Sequence, residues 1–513
     1  MNTVKRIGII GAGLAGLNTA RVFKGLGYEI SVFEKDTQVG GVWAASRRYP
    51  GVSTQDSKSV YALPGFPMPE HYPEWPSGEQ VQAYLDDFAD KVDIKRDIQF
   101  QTEVVSTRYD SASETWQLTL KDHAEAGQQS QISVDFLFIC NGIYSVPSIP
   151  KFEGAEEFAN NGGAIYHTSQ FNDIELAKDK NVVVVGYGKS SCDVANAVTS
   201  VANSTTIVAR QLTWKVPRMI ANKINNKNMF STRLSEALFP YFNLKGADKF
   251  LHGIGSPIRK GLVGGLSWVI KKQLRLESLG LLPKLPFSSI ANSTISQVSD
   301  MFYDQVASGQ LQVKRDNEIR RLTSEGAELA SGETIPVDII ICGTGWQQRC
   351  DFLDDSVMDK LTDADGNFQL YRSLLPVEVP RLAFNGYNSS LFTQMCCHVG
   401  ALWLADYIKG GIQMPSKERQ NDGIEQRLNW MAKRTGGKHS NGASLIPFTI
   451  HYIDELLNDM NLNLKPLARL KQWFNPFDPD AYAHLFNELK QKYTKETQEI
   501  PANPILNQDL RHG

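Results

Sequence analysis

RIGIIGAGLAGLNTA, residues 6–20, is a short β-branched apolar run that enters a glycine turn and continues into small and apolar residues at helical spacing. Strand, glycine turn and helix in that order open a βαβ unit. Gly11-Ala12-Gly13-Leu14-Ala15-Gly16 fills the G-x-G-x-x-G pattern. Its first two glycines permit the tight turn and the close approach of a pyrophosphate, whose charge sits at the N-terminus of the helix that follows. The next apolar run, 30–33, ends at Glu34, 18 residues past the last glycine. A carboxylate there accepts hydrogen bonds from ribose hydroxyls and repels a 2′-phosphate. The turn therefore predicts FAD or NAD rather than NADP.

A second stretch, residues 181–195, reads NVVVVGYGKSSCDVA. Gly186-Tyr187-Gly188-Lys189-Ser190-Ser191-Cys192-Asp193 keeps the first two glycines and places Ser191, still small, in the third position. The two turns lie 175 residues apart, too far for a solenoid repeat and suited to two separate nucleotide-binding domains. The run 206–209 ends at Arg210, 24 residues past Gly186, where the first unit has Glu34 at 23 residues past Gly11. An arginine reads a 2′-phosphate where an acid reads ribose hydroxyls. The pair implies one FAD-like and one NADP-like site.

Apolar runs at 136–140 and 339–342 read as buried strands that end in glycine turns, one before the second motif and one after it. The expected fold is therefore α/β, with two Rossmann-like dinucleotide-binding domains, the NADPH domain inserted into the FAD domain, and a helical C-terminal extension. The boundaries expected are 1–172 and 338–430 for the FAD domain, 173–337 for the NADPH domain and 431–513 for the extension, which ends in a poorly ordered polar tail with two prolines.

Composition narrows the partners. The chain has 513 residues, 53 Lys+Arg against 56 Asp+Glu and 42% hydrophobic residues, about three domain-equivalents with no global basic field for nucleic acid. Residues 215–284 depart from that balance, with thirteen basic residues against three acids and six interleaved aromatics, Trp214 standing just before them. They read as an insertion in the NADPH domain that walls the substrate channel and attracts an anionic coenzyme, or as a peripheral contact with anionic membrane. Six cysteines without a CxxC pair, no leader-like start and no apolar stretch of spanning length point to a cytoplasmic protein without a transmembrane segment. The absence of cysteine between Gly16 and Cys140 argues against a disulfide reductase, Cys396-Cys397-His398 lacks the second ligand pair of a metal site, and no GxSxG or HExxH appears.

From about residue 5 to about residue 411 the chain resembles the flavin-containing monooxygenases, relatives of the Baeyer–Villiger monooxygenases. The two glycine motifs are accompanied, in the family's order, by Gly40-Gly41-Val42-Trp43, Tyr49-Pro50-Gly51, Cys140-Asn141-Gly142 and Gly343-Thr344-Gly345-Trp346. The family fingerprint FxGxxxHxxx(Y/F) is matched by Gly163, His167 and Phe171, with Asn at 161 and Phe158 as the nearest candidate for its leading aromatic. Phe171-Asn172 in place of Trp followed by Pro or Asp favours the heteroatom-oxidising branch.

The resemblance implies FAD at the first turn and Glu34, with Gly41, Val42, Trp43, Thr54, Val104, Gly142 and Gly345 around it, and NADPH at residues 186–191, Asp193 and Arg210. It implies Gln55, with Asp56 beside it, at the reacting edge of the flavin, where heteroatom oxidisers carry Asn, and His167 at a domain hinge. The implied cycle is hydride transfer from NADPH to FAD, addition of O2 to give a C4a-hydroperoxyflavin, and transfer of oxygen to an amine nitrogen or sulfide sulfur of a small organic substrate. A Baeyer–Villiger enzyme acting on ketones and a non-catalytic FAD-binding redox module are the competing readings.

Overall fold

The computed structural model describes residues 4–125, 127–292 and 296–499; the proline-bearing tail, for which poor order was expected, lies outside the described residues. Arg6–Ile10 is buried after its first residue and sits at the centre of a five-stranded parallel sheet. The order is Leu382–Phe384, Phe136–Ile139, Arg6–Ile10, Glu29–Phe33, Ile98–Gln99. A second parallel sheet has the order Ala164–His167, Ile339–Cys342, Asn181–Val185, Ser204–Ala209, Leu311–Arg315. Each sheet receives its return strand from an antiparallel three-stranded meander. Thr102–Asp110, Thr115–Asp122 and Gln129–Val134 precede Phe136–Ile139, while Ile319–Thr323, Gly326–Leu329 and Thr334–Ile335 precede Ile339–Cys342. Buried β-branched runs suit strands covered on both faces.

The chain leaves the first sheet after Phe136–Ile139 and returns to it at Leu382–Phe384, so the second unit is inserted into the first. The expected boundaries need correction. Ile339–Cys342, assigned above to the first unit, pairs with Asn181–Val185, and Ala164–His167, also assigned to the first unit, forms the edge of the second sheet. The second unit therefore takes in residues on both sides of 173–337. An apolar run ending in glycine carries no sign of which sheet it joins; hydrogen-bond pairing decides it. The chain crosses between units where Val146–Pro147 pairs antiparallel with Trp346–Gln347.

The C-terminal boundary at 430/431 falls inside helix Lys417–Thr435. Nor do the helices beyond it form a separate layer. Tyr452, Ile453 and Leu456 of helix Thr449–Asp459 share one core with Ile7, Phe23 and Trp403. Burying a Leu- or Ile-sized side chain stabilises by about 1.5–3 kcal/mol, so these helices belong to the first unit energetically.

Part of the charge excess of 215–284 is buried or paired, while Lys223, Lys245, Lys249, Lys260 and Lys272 are exposed. Lys215 is fully buried, Arg233 makes a two-pronged pair with Asp454 at 2.6 and 2.9 Å, and Lys227, Lys271, Arg275 and Lys284 meet Glu74, Glu277, Asp304 and Asp316. What faces outward is helix Ser256–Gln273, which has no acidic residue and buries only Ile270. Ile258, Leu262 and Trp268 are exposed on it, and Ile254 just before it is 91% exposed. Among the described residues no helix is long and apolar enough to cross a membrane.

Candidate active site

Helices Leu14–Gly25 and Lys189–Val198 begin at the two glycine turns, and neither has a side-chain N-cap or an acid in its first turn. Helix Gly78–Lys91, away from the turns, is closed by a Ser77–Gln80 capping box. The two motif helices thus leave their first N–H groups, at the positive end of the helix dipole, for an anion. Gly11 and Gly186 have φ of +103° and +114°, and a Cβ on either would come within 2.7 or 2.6 Å of a return-strand carbonyl, Cys140 O or Gly343 O. Gly142, Gly188 and Gly345 have open space where a Cβ would stand. That cradle fits a dinucleotide at each turn.

At the first turn, Glu34 is buried and its carboxylate closes the loop, accepting from Ala12 N–H at 2.7 Å and from Asp36 N–H at 2.9 Å. Gly41 lies over the turn, where a Cβ would be 3.2 Å from Gly13 Cα, and Gly40 N–H donates to Ala12 O at 3.1 Å. Trp43 Nε1–H donates to Tyr61 Oη at 3.1 Å, while Val42 is exposed. Val104 packs its side chain into an apolar cluster with Ile10 and Phe33, which leaves only its main chain for contact with a ligand.

At the second turn, Ser191 Oγ–H donates to Gly343 O at 3.3 Å, which is how a serine replaces the third glycine. Lys189 pairs with Asp193, and Tyr49 Oη–H donates to the same carboxylate at 3.3 Å. Arg210 stands just past strand Ser204–Ala209, exposed and, among the described residues, without an ion pair. Tyr187 is buried and Gly188 opens to solvent. Asp193 is in the wall of a cleft of about 710 Å³ that runs between the units and is also lined by Tyr49, Gly51, Ser53, Asn196 and Arg218.

The segment 53–56 lies where the second unit meets the first, and residues in and just after the insertion hold three of its four residues. Arg218 donates to Ser53 Oγ at 2.6 Å, Gln297 N–H to Gln55 Oε1 at 3.1 Å, and Ser231 Oγ–H to Asp56 Oδ1 at 3.0 Å. Thr54 Oγ1 and both amide atoms of Gln297 are buried with no hydrogen-bond partner, so this pocket still has polar groups to offer. Burial pushes the Asp56 carboxyl up to about 7, with the Ser231 hydroxyl acting in the opposite direction.

His167 is buried, with Nδ1 2.9 Å from Ser169 Oγ and Nε2 3.0 Å from Gly345 O; burial lowers its pKa and keeps it neutral. The Phe158 ring occupies the space a Cβ on Gly163 would need, at 2.4 Å, so this displaced aromatic does pack on the fingerprint glycine.

Sequence reasoning brought together the two turns, Glu34, Arg210 and Gln55. It missed Ser231, Gln297, Arg218 and Lys215, all contributed by or next to the insertion. One signal was available, since a lysine between Trp214 and Val216 in a run this apolar marks a buried strand.

Two parallel sheets of matching order, each ending in an uncapped glycine turn and clamped on a shared cleft, define the architecture of flavoproteins with two dinucleotide sites. The profile of the flavin-binding monooxygenase-like family matches residues 4–475, and the chain belongs to that family. It is 26% identical to flavin-containing monooxygenase 3 of Macaca mulatta, covering 93% of this chain and 88% of that protein. It is 24% identical to a probable flavin-containing monooxygenase 1 of Arabidopsis thaliana, covering 96% and 98%. Among solved structures, S-allyl-L-cysteine S-oxygenase from Allium sativum superposes with a TM-score of 0.62 at 18% identity over 96% of this chain and 99% of that one. A cyclohexanone-bound cyclohexanone monooxygenase gives 0.67 at 17% identity over 89% and 97%.

Proposed function

We propose that the protein is an NADPH- and O2-dependent flavoprotein monooxygenase that oxygenates a soft nucleophile, an amine nitrogen or a sulfide sulfur, of a small organic substrate. FAD belongs at the first turn and NADPH at the second. One observation carries this assignment: at equivalent strand ends, Glu34 is buried and bonded into its turn, whereas Arg210 is exposed and, among the described residues, without an ion pair, the polarity that separates ribose hydroxyls from a 2′-phosphate. Bound FAD, reduced by NADPH, supplies the electrons and the O2-activating ring.

The chain's own residues position and shield. Gln55, whose amide oxygen is held by Gln297 N–H, stands in the place of the family's asparagine and is the residue assigned to the reacting edge of the flavin. Asp56, buried and bonded to Ser231, holds a proton on its carboxyl up to about pH 7 beside that amide. The insertion excludes water by covering 53–56. Phe171-Asn172 at the end of the fingerprint supports heteroatom over ketone oxidation.

The test is rapid mixing. Protein carrying FAD is reduced with NADPH without air, mixed with O2, and offered an amine, a sulfide and a ketone in turn. Oxygenated amine or sulfide in step with NADPH consumption is expected. Conversion of ketones alone would replace this reading with a Baeyer–Villiger one, and bound FAD without NADPH-dependent O2 consumption would indicate a redox module.

The membrane reading of 215–284 narrows to the outer face of helix Ser256–Gln273 and Ile254, where exposed apolar side chains lie among Arg259, Lys260 and Lys272 without an acid. Flotation with anionic vesicles at low salt tests it: Ile258→Glu/Trp268→Glu should abolish binding, and a wild type that stays at the bottom of the gradient removes the idea.

A further inference from the structure

Lys215 opens strand Lys215–Pro217 and its side chain is entirely out of solvent. Its ammonium meets the Tyr187 carbonyl, Ser296 Oγ at 3.0 Å, Thr213 Oγ1 at 3.3 Å and the Cys192 thiol, with the Tyr187 ring centre 4.6 Å away. Among the described residues it forms no ion pair. The neighbouring carboxylate, Asp193, is already engaged by Lys189 and by Tyr49. A buried cation without a counter-charge is unfavourable, and an apolar side chain of the same length would fill this space at less cost. Its location gives it a use. Tyr187 is the middle residue of the Gly186-Tyr187-Gly188 turn, so the cation sits under the loop, behind the uncapped helix N-terminus that receives an anion.

We propose that Lys215 is a coenzyme-positioning residue. It holds the Tyr187 carbonyl, and with it the turn, in the shape that accepts a dinucleotide pyrophosphate, and the arriving pyrophosphate supplies the negative charge that the buried ammonium lacks. This rests on the second turn being the NADPH site. Ser296, which Lys215 also grips, precedes Gln297, whose N–H holds Gln55, so one buried lysine ties the coenzyme turn to the segment at the flavin side.

Burial lowers the pKa of Lys215. The other groups facing it are Lys189, Cys192 and Asp193 on helix Lys189–Val198 and the phenol of Tyr187 in the turn, with Tyr303 behind Cys192. Burial pushes the Cys192 thiol and the phenols of Tyr187 and Tyr303 up, with Lys215 acting on the thiol in the opposite direction.

The experiment is calorimetric titration of NADP+ into the FAD-loaded full chain between pH 7 and 9.5 at fixed ionic strength. Wild type is compared with Lys215→Met, Lys215→Arg and Arg210→Ala. Lys215→Met should weaken NADP+ about 10- to 100-fold at pH 7, and Lys215→Arg should recover most of that loss. Wild-type affinity should fall as pH rises, while both Lys215 variants stay level, one weak and one tight. A Lys215→Met protein with wild-type affinity, or with the wild-type pH slope, overturns the proposal. If Lys215→Met does not retain FAD, a wild-type profile as level as that of Lys215→Arg overturns it equally. Failure of the NADPH reading looks different: wild type with FAD bound would not take NADP+ at any pH.

Discussion

At the first glycine turn a Cβ on Gly16 would come within 1.8 Å of Gly11 O, a collision with backbone that no rotamer relieves. At the second turn the same helix position is Ser191, and the forbidden place has moved: a Cβ on Gly343 would lie 2.0 Å from Ser191 Oγ. Gly343 and Cys140 are equivalent, since each donates its N–H at 2.9 Å to the residue preceding the turn, Val185 O and Ile10 O. The first unit thus pairs a bare helix position with a side chain on the return strand, and the second pairs a side chain on the helix with a bare strand end. What the turn requires is a fixed space between helix and return strand, and either side can leave it.

The largest effect that would break this comparison is Gly16→Ala. The added methyl has only backbone to displace, so the protein should purify without FAD, judged by the flavin absorbance, whereas Ser191→Ala should retain FAD and change stability by no more than about 1 kcal/mol. Flavin retained by Gly16→Ala would mean that the first turn can open as the second does.

The units also differ in how they are fastened. The insertion of the second is locked to the first through His451, whose Nδ1 is 2.8 Å from Glu236 Oε2 and whose Nε2 is 2.9 Å from Asp248 Oδ2. Burial lowers its pKa, but the hydrogen bonds and charges of the two carboxylates outweigh that and raise it to about 10. A histidine with a raised folded-state pKa contributes stability that is fully present below its unfolded value of about 6.5 and is lost as pH rises through about 10. Urea midpoints should therefore fall between pH 7 and 10.5 in wild type more than in His451→Gln. His451→Ala should cost about 3 kcal/mol at pH 7, because it leaves the buried Glu236 carboxylate without its counter-charge, with only the Ile450 and His451 N–H groups to hold it.

Next in size is the contrast between Glu34 and Arg210. Arg210→Ala should weaken NADPH about 10- to 100-fold and leave FAD bound, the range set by a charge-assisted hydrogen bond. An unchanged Michaelis constant for NADPH would remove Arg210 from the site and with it the sharpest distinction between the turns.

That distinction was legible in the sequence because it is local: a motif, a strand and the residue at the strand's end. The same holds for the existence of three strands in each five-stranded sheet, while the short Ile98–Gln99, Leu382–Phe384, Ala164–His167 and Leu311–Arg315 carried no motif that marks a strand. Which sheet a strand joins was not legible, since Ile339–Cys342 and Phe136–Ile139 are interchangeable as text and differ only in their partners. Charge was misread for a related reason. Arg233 and Asp454 are 221 residues apart, and a count over 215–284 cannot see the acid that neutralises the base. Gln55 could be named, but the groups that hold it, Gln297 above all, come from a distant segment with no motif.

The smallest effect tests the exchange of space directly. Gly343→Ala introduces a Cβ 2.0 Å from Ser191 Oγ, 3.0 Å from its Cβ and 3.2 Å from its Cα. The hydroxyl can rotate away, giving up its bond to Gly343 O, so the single change should cost about 1 kcal/mol. Ser191→Gly loses the same hydrogen bond and adds the entropy of a glycine near a helix start, a cost of at most about 1 kcal/mol. Combined, they rebuild the arrangement of the first turn, with a bare helix position facing a side chain on the return strand. If space is what is conserved, the double variant should be more stable than the two losses added together, with a coupling of about 0.5 kcal/mol or more in urea unfolding and NADP+ affinity restored toward wild type. Strict additivity would mean that Ser191 and Gly343 do not share one space, and that the likeness of the two turns stops at their first two glycines.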